Sequence, residues 1–454
     1  MINIDKVKAL LKDPEEKNFI KNVSLAFGIK GLSLLISIFS MPMYIKYFNN
    51  NSVLGIWYTV LSLLSWISVC DLGLGNGLRN RLTEQLTEGK LVEAKKYISS
   101  TYAALVCIML PIAFFGTFFL ININFNTFFN ISEHEISSSN LSFGIVILFF
   151  GITCSFIIKP INNIIYSLQK SSINNVIAFI TTVIPLIYVT FASSADNGTN
   201  FIKLSIVHVL AIEVPLLVAT VAVFRKTIVQ KCVPSCKFVD FSIAKEIIGF
   251  GMQFFGAQVF FLILMSTNEI AISILYEPEY VVQYNAYYKL FTLIGSIFTL
   301  ALTPLWSKIT KDLTLKRYNK IRVTLNILYL VSFCAIIANF ILVLFLQKIL
   351  DIWLKSNSFD INYTTALIFA YFGGMYIFNT ALTTVANGLS KMKSQIIVYG
   401  LGAIIKIPAL LVLKMITDNW NVVTLYNALI LTIFSIVEMI ILKKMVDGWI
   451  QQDN

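Results

Sequence analysis

The 454-residue chain is 57% hydrophobic and only 13% charged, with a mean hydropathy of +0.77. Soluble proteins carry roughly a quarter of their residues as Asp, Glu, Lys or Arg, so this composition excludes a water-facing globule. The 35 Lys and Arg against 24 Asp and Glu leave a net charge of +11, which in so apolar a chain signals membrane orientation before nucleic-acid binding.

The apolar runs are long and do not alternate, which predicts helices of about 20 residues rather than barrel strands of about 10. About twelve spans follow in order. Met1–Lys21 is polar and shows no cleavable signal pattern. Span 1, Val23–Tyr44, carries Lys30 about a third of the way in from the cytoplasm at about 1.5 Å per residue. Span 2, Val53–Cys70, runs into Asp71-Leu-Gly-Leu-Gly-Asn-Gly-Leu-Arg-Asn80. Gly73, Gly75 and Gly77 suggest a nucleotide loop, but no strand precedes them and no Gly-Lys-Ser/Thr follows. The segment reads instead as a joint in which glycines let the backbone turn and pack closely. It would hold Asp71 near the membrane face, Asn76 within the turn, and Arg79 and Arg81 among headgroups. The rest of Asp71–Tyr97 mixes Leu82, Leu86 and Val92 with charged residues and predicts an amphipathic cytoplasmic helix lying on those headgroups. Spans 3 to 6 are Ile98–Leu120, Leu141–Ile165, Val176–Ala192 and Phe201–Phe224. Lys159 lies in span 4. Span 6 carries His208 and, near its middle, Glu213, roughly 140° apart around the helix and so not one constellation.

A basic loop, Lys226–Lys245 with Pro234, divides the chain into residues 1–225 and 226–454, six spans each. The second half places spans 7 to 12 at Ile247–Ile274, Tyr284–Leu305, Thr324–Leu346, Thr364–Val385, Ile396–Met415 and Val422–Leu442. Glu269 falls toward the outer end of span 7, Lys289 about a third of the way in from outside in span 8, and Lys406 near the midplane of span 11, counting about 1.5 Å per residue. In both halves a short outer loop is followed by a longer basic inner one (Asp71–Tyr97 and Ser307–Arg322). This rhythm predicts a pseudo-two-fold repeat, the plan of secondary transporters. Ionisable residues inside spans cost roughly 2.5–3.5 kcal/mol each on insertion scales and so mark a pathway. Lys30, Lys159, Lys289 and Lys406 are therefore candidate ligands for an anionic substrate. Glu213, His208 and Glu269 are candidates for ion coupling. Trp57, Trp306, Trp353 and Trp420 read as interfacial anchors.

About 26 of the basic residues fall on the side shared by both termini and about 5 on the other, which predicts cytoplasmic termini. Two histidines in the chain, without a carboxylate cluster, exclude a metalloenzyme and give no metal site. Cys232 and Cys236 lack the second pair a zinc site needs. With no nucleotide motif, uphill work would draw on an ion gradient, a proton or sodium being the expected coupling ion, and no other cofactor is expected. Glu213 is the expected switch, alternating between a proton and a pairing with Lys406.

The Asp71–Asn80 joint, Tyr284-Asn-Ala-Tyr-Tyr-Lys-Leu-Phe291, Pro304-Leu-Trp306 and Ile352-Trp353 together resemble the polysaccharide-export branch of the MATE-like MOP superfamily. Its O-antigen and capsule members are the Wzx-type oligosaccharide flippases. The resemblance extends over essentially the whole chain through span count and loop rhythm. It implies an all-α polytopic membrane protein with two six-helix lobes facing each other across a cationic cavity. It implies a carrier rather than an enzyme, moving undecaprenyl-pyrophosphate-linked oligosaccharide repeat units from the inner to the outer leaflet of the bacterial cytoplasmic membrane by alternating access. The product would be O-antigen, capsule or exopolysaccharide. Lys30, Lys159 and Lys406 are carried over to that cavity by span and character, and Lys289 by its place in the Tyr284 segment. The implied partners are the lipid-linked oligosaccharide, the bilayer, and a polysaccharide polymerase with its chain-length machinery, with no nucleic acid and a monomer as the default. The alternative is a MATE-type cation-coupled small-molecule exporter, which would want an acidic, aromatic cavity.

Overall fold

The computed structural model describes residues 25, 28–29, 31–32, 36, 43–44, 46–69, 73–129, 131–192, 196–276, 279–354 and 359–453. Lys30, Asp71 and most of span 1 lie outside the described residues. Within them every regular element is helical. Among the described residues nine helices are long and apolar enough to cross a membrane, and one bent pair, taken as a single span, makes a tenth. The chain forms two compact units that divide between Met252 and Gln253.

The N-terminal unit is built from α1 (Asn51–Val69), α2 (Leu74–Thr87), α3 (Leu91–Ile121), the short α4 (Phe125–Phe129), α5 (Ser138–Ile158), α6 (Pro160–Ser167), α7 (Ser171–Phe191) and α8 (Asn197–Lys226). These correspond to predicted spans 2 to 6 and the joint. The stretch Asp71–Tyr97 is not one surface helix. Gly73, at φ 66°, opens α2, and Gly89, at φ 73°, separates α2 from α3; both positions need the left-handed region that only glycine enters without strain. Nor does α2 lie on headgroups. Its Leu78 and Leu82 are buried in a cluster with Ala94, Ile98, Ile161, Ile164 and Val223, so its apolar face is covered by α3, α6 and α8. Gly77 serves the close packing expected of it, since a Cβ there would stand 3.3 Å from the Ile247 carbonyl oxygen and 3.5 Å from the Gly251 nitrogen.

The basic linker docks on the same unit. Cys232 Sγ meets the Leu91 carbonyl at 3.4 Å, and the backbone N–H groups of Ser235 and Asp240 donate to the hydroxyls of Ser99 and Ser100 at 3.1 and 2.9 Å. The compact unit therefore runs past the linker into α9 (Phe241–Ser266), whereas the sequence reading drew its boundary at residue 225.

The C-terminal unit continues with α10 (Asn268–Leu275), α11 (Glu279–Thr314), α12 (Tyr318–Leu354), α13 (Tyr363–Gly388), α14 (Lys393–Ile416) and α15 (Val422–Asp453). The central element is α13, which packs against α11, α12 and α15. Its Gly373 presses on α11, where a Cβ would come within 2.5 Å of the Phe291 carbonyl oxygen. Close backbone contact over small residues is the usual way helices associate in lipid. In α11 a 40° bend follows Thr299; Pro304 cannot donate to the carbonyl four residues before it and crowds that carbonyl. Two of the tryptophans read as interfacial anchors are core residues instead. Trp57 packs against Phe48 and Phe201, and Trp420 against Tyr284, Tyr287 and Phe369.

Candidate functional site

A buried polar cluster of the C-terminal unit forms where the span made by α9 and α10 breaks. A helix end leaves carbonyls without intrahelical donors, and the C-terminal end of the dipole favours a cation. Lys406, projecting from the middle of α14 and 1% exposed, fills that position. Its Nζ donates to the Leu264 carbonyl at 2.6 Å, Thr267 Oγ1 at 2.8 Å and Asn268 Oδ1 at 2.6 Å. An ammonium has three N–H bonds, and all three are used. Asn268 in turn donates to the Tyr284 hydroxyl of α11 at 2.8 Å and accepts from Asn427 Nδ2 of α15 at 2.7 Å. The lysine thus joins α14 to α9 and α10, Asn268 extends the cluster to α11 and α15, and none of the lysine's acceptors is a carboxylate. Its three N–H bonds are thus committed within the C-terminal unit.

A second buried ionisable group belongs to the same unit and was missed by the sequence reading. Glu438 of α15 is 0% exposed and accepts from the Ser394 hydroxyl of α14. Its signal was present in the sequence, because Glu438 lies inside predicted span 12.

No family model and no curated protein matches this sequence. Solved structures do match, along nearly the full length. A MATE protein crystallised in the straight conformation superposes with a TM-score of 0.77 at 11% identity, covering 98% of this chain and 99% of that one. A MATE transporter from Vibrio cholerae, VcmN, gives 0.74 at 12% identity over 95% and 97% of the two chains. The chain has the MATE transporter fold. A MOP-superfamily transporter from Pyrococcus furiosus, described by the reverse polarity of its binding pocket, superposes at 0.72 with 12% identity, covering 98% of each chain.

Within this MATE-like chain the two candidate lysines of the C-terminal unit have different settings. Lys406 is sealed in its cage, whereas Lys289 of α11 is exposed and has no hydrogen-bond or ion-pair partner among the described residues. Lys159 belongs to the N-terminal unit, at the junction of α5 and α6, with its Nζ 4.2 Å from the centroid of the Phe156 ring. His208 stacks edge-on to Trp57 at 5.8 Å. Glu213, half-buried on α8, holds no hydrogen bond or ion pair among the described residues, and Glu269 is exposed in the first turn of α10.

The joint departs from expectation at Arg79. Its side chain is 3% exposed, with the guanidinium 4.4 Å from the centroid of the Tyr166 ring, and the Arg79 carbonyl accepts from Ser167 Oγ at 3.0 Å. Burial lowers the guanidinium from its ordinary value to about 9, which leaves it charged at neutral pH. Arg79 therefore pins α2 to α6 inside the protein and does not reach headgroups. Arg81 pairs with Glu84 at 3.1 Å and Glu246 at 2.7 Å. Gly75 and Asn76 are ordinary members of α2.

Proposed function

We propose that the chain is a flippase for pyrophosphate-linked oligosaccharides on a polyprenyl lipid, moving them from the inner to the outer leaflet of a bacterial cytoplasmic membrane with both termini cytoplasmic. The supporting observation is membrane-embedded positive charge without matching acid. Neither Lys289 nor Lys406 pairs with a carboxylate among the described residues. Ion pairs of the C-terminal unit such as Arg317–Asp312, Arg322–Asp447 and Lys414–Asp418 sit toward helix ends. Uncompensated positive charge in a low-dielectric setting repels a cationic drug and attracts a pyrophosphate. Lysine suits a headgroup that must slide, because it acts as a point charge on a flexible stem and not as a rigid fork.

In this reading Lys289 contacts the phosphates. Lys406 adds its field and fixes the α9–α10 break, while Lys30 and Lys159 supply the N-terminal share. The Pyrococcus furiosus transporter, with its pocket of reverse polarity, is a precedent for changed charge on this fold. A second reading, a MATE-type cation-coupled small-molecule exporter, is favoured by another fold neighbour, a multidrug resistance MATE family transporter, and by the buried Glu438.

Purified protein in vesicles loaded with a fluorescent pyrophosphate-linked lipid oligosaccharide separates the two. Flipping should fall at least about tenfold in Lys289→Ala, a loss of about 1.4 kcal/mol, and be largely kept in Lys289→Arg. Export of a cationic dye with no flipping of the lipid would establish the second reading instead.

A further inference from the structure

Glu438 carries a feature that neither reading uses. Its Oε2 accepts from Ser394, but Oε1 is buried with no hydrogen-bond partner among the described residues. No Lys or Arg pairs with it. One turn back on the same face of α15, the Ser435 hydroxyl is also buried and unpartnered, as are the hydroxyls of Tyr329 and Ser332 one turn apart on α12. Tyr329 lies within electrostatic reach of Glu438 and of Asp447. Asp447, nine residues further along α15, pairs with Arg322 of α12 at 3.8 Å, and both side chains are partly exposed.

No cation on the other elements packed on α15 pairs with Glu438 among the described residues: Lys393 of α14, beside Ser394, and Lys348 of α12 are exposed, Lys320 and Arg322 lie at the start of α12, and Lys414 of α14 pairs with Asp418. The titratable residues of α13 are tyrosines only, and Asn379 on that helix engages the Tyr399 hydroxyl of α14. Lys406 of α14 has its donors committed at the helix break, and Glu269 of α10 is exposed. Lys443 and Lys444, on α15 itself, are exposed.

A bare carboxylate with one donor and no cation is a costly thing to bury. A proton on Oε1 removes the charge, which no cation and no second donor offsets among the described residues. We propose that Glu438 is a proton-binding site of this transporter, occupied in this conformation. On release the O–H bond breaks, its electron pair stays on the carboxylate, and the proton passes to water. The proposal rests on the transporter reading but not on which substrate is carried.

Infrared spectra of the purified protein test it without any substrate. At neutral pH the wild type should show the carbonyl stretch of a protonated carboxylic acid, and Glu438→Gln should lack it. Ser394→Ala, which removes the donor to Oε2, should keep that band at a shifted frequency; this arm carries the test even if the glutamine variant does not fold. Identical spectra for wild type and Glu438→Gln, with no shift in Ser394→Ala, would overturn the proposal. So would the absence of that band from the wild type in both sodium-free and sodium-containing buffer at neutral pH. A flippase assay that fails while the band behaves as expected removes the substrate reading and leaves this site standing.

Discussion

Replacing Gly373 with alanine probes the tightest helix contact in the C-terminal unit. The new Cβ would lie 2.5 Å from the Phe291 carbonyl oxygen, 3.1 Å from the Phe291 carbonyl carbon and 3.0 Å from Asn339 Oδ1. Ordinary contact begins near 3.4 Å, so α11 and α13 would have to part by about 0.9 Å. The obstacle is backbone, and no side-chain rotation relieves it. Overpacking of this kind costs about 1–3 kcal/mol. Gly448 on α15 is the matched control, because nothing lies within 4 Å of a Cβ built there; alanine at that helical position should gain about 0.5–1 kcal/mol. Because both glycines are helical, that gain is common to the two variants, which should differ by the overpacking cost of about 1–3 kcal/mol, with Gly373→Ala the less stable. Thermal unfolding of the detergent-solubilised protein, followed by loss of the monodisperse gel-filtration peak, reads the order directly. Equal midpoints for Gly373→Ala and Gly448→Ala would refute the close approach of α11 and α13.

Asp196→Ala should destabilise the N-terminal unit by about 0.5–1 kcal/mol, since Asp196 Oδ2 caps α8 by accepting from the Thr199 N–H at 2.9 Å and such caps are worth about that much; Asp196→Asn should restore most of it. The Thr199 bonds hold the Asp196 carboxyl below its ordinary value, so its contribution is present above the unfolded-chain pKa and is lost as pH falls through the depressed one, a loss Asp196→Asn should not show in an acid titration of stability. Arg79→Lys should lower the yield of folded protein, because lysine cannot reproduce the planar stack on Tyr166; normal yield and melting would mean that the stack carries no weight. Reporter fusions after Asn126 and after Thr314 should report outside and inside respectively, and a common side for both would overturn the proposed orientation.

Span positions are legible in the sequence because lipid demands long apolar runs, and the described helices recur where hydropathy places them. What hydropathy cannot show is which neighbour a side chain meets. Arg79 looks like a headgroup residue until Tyr166, far along the chain, is brought beneath it. Leu78 and Leu82 have the same pattern whether they face lipid or protein. The break at Ser266–Asn268 has no proline or glycine to announce it, and its cause, Lys406, arrives nearly 140 residues later. Depth alone suggested that Lys406 faces a cavity. A buried lysine is just as deep when it satisfies a helix end.

The cage around Lys406 also bears on how the chain is made. Polypeptides are synthesised from the N-terminus and fold as they emerge, so Leu264, Thr267 and Asn268 enter the membrane before α14 does. A lysine near the middle of a span costs roughly 2.5–3.5 kcal/mol to insert, yet here its acceptors are already waiting when it arrives. Asn427 comes last and closes the set through its bond to Asn268. A polar residue that would hinder insertion of α14 alone becomes a registration pin, admitting that helix at the depth where the earlier pair has left its carbonyl open.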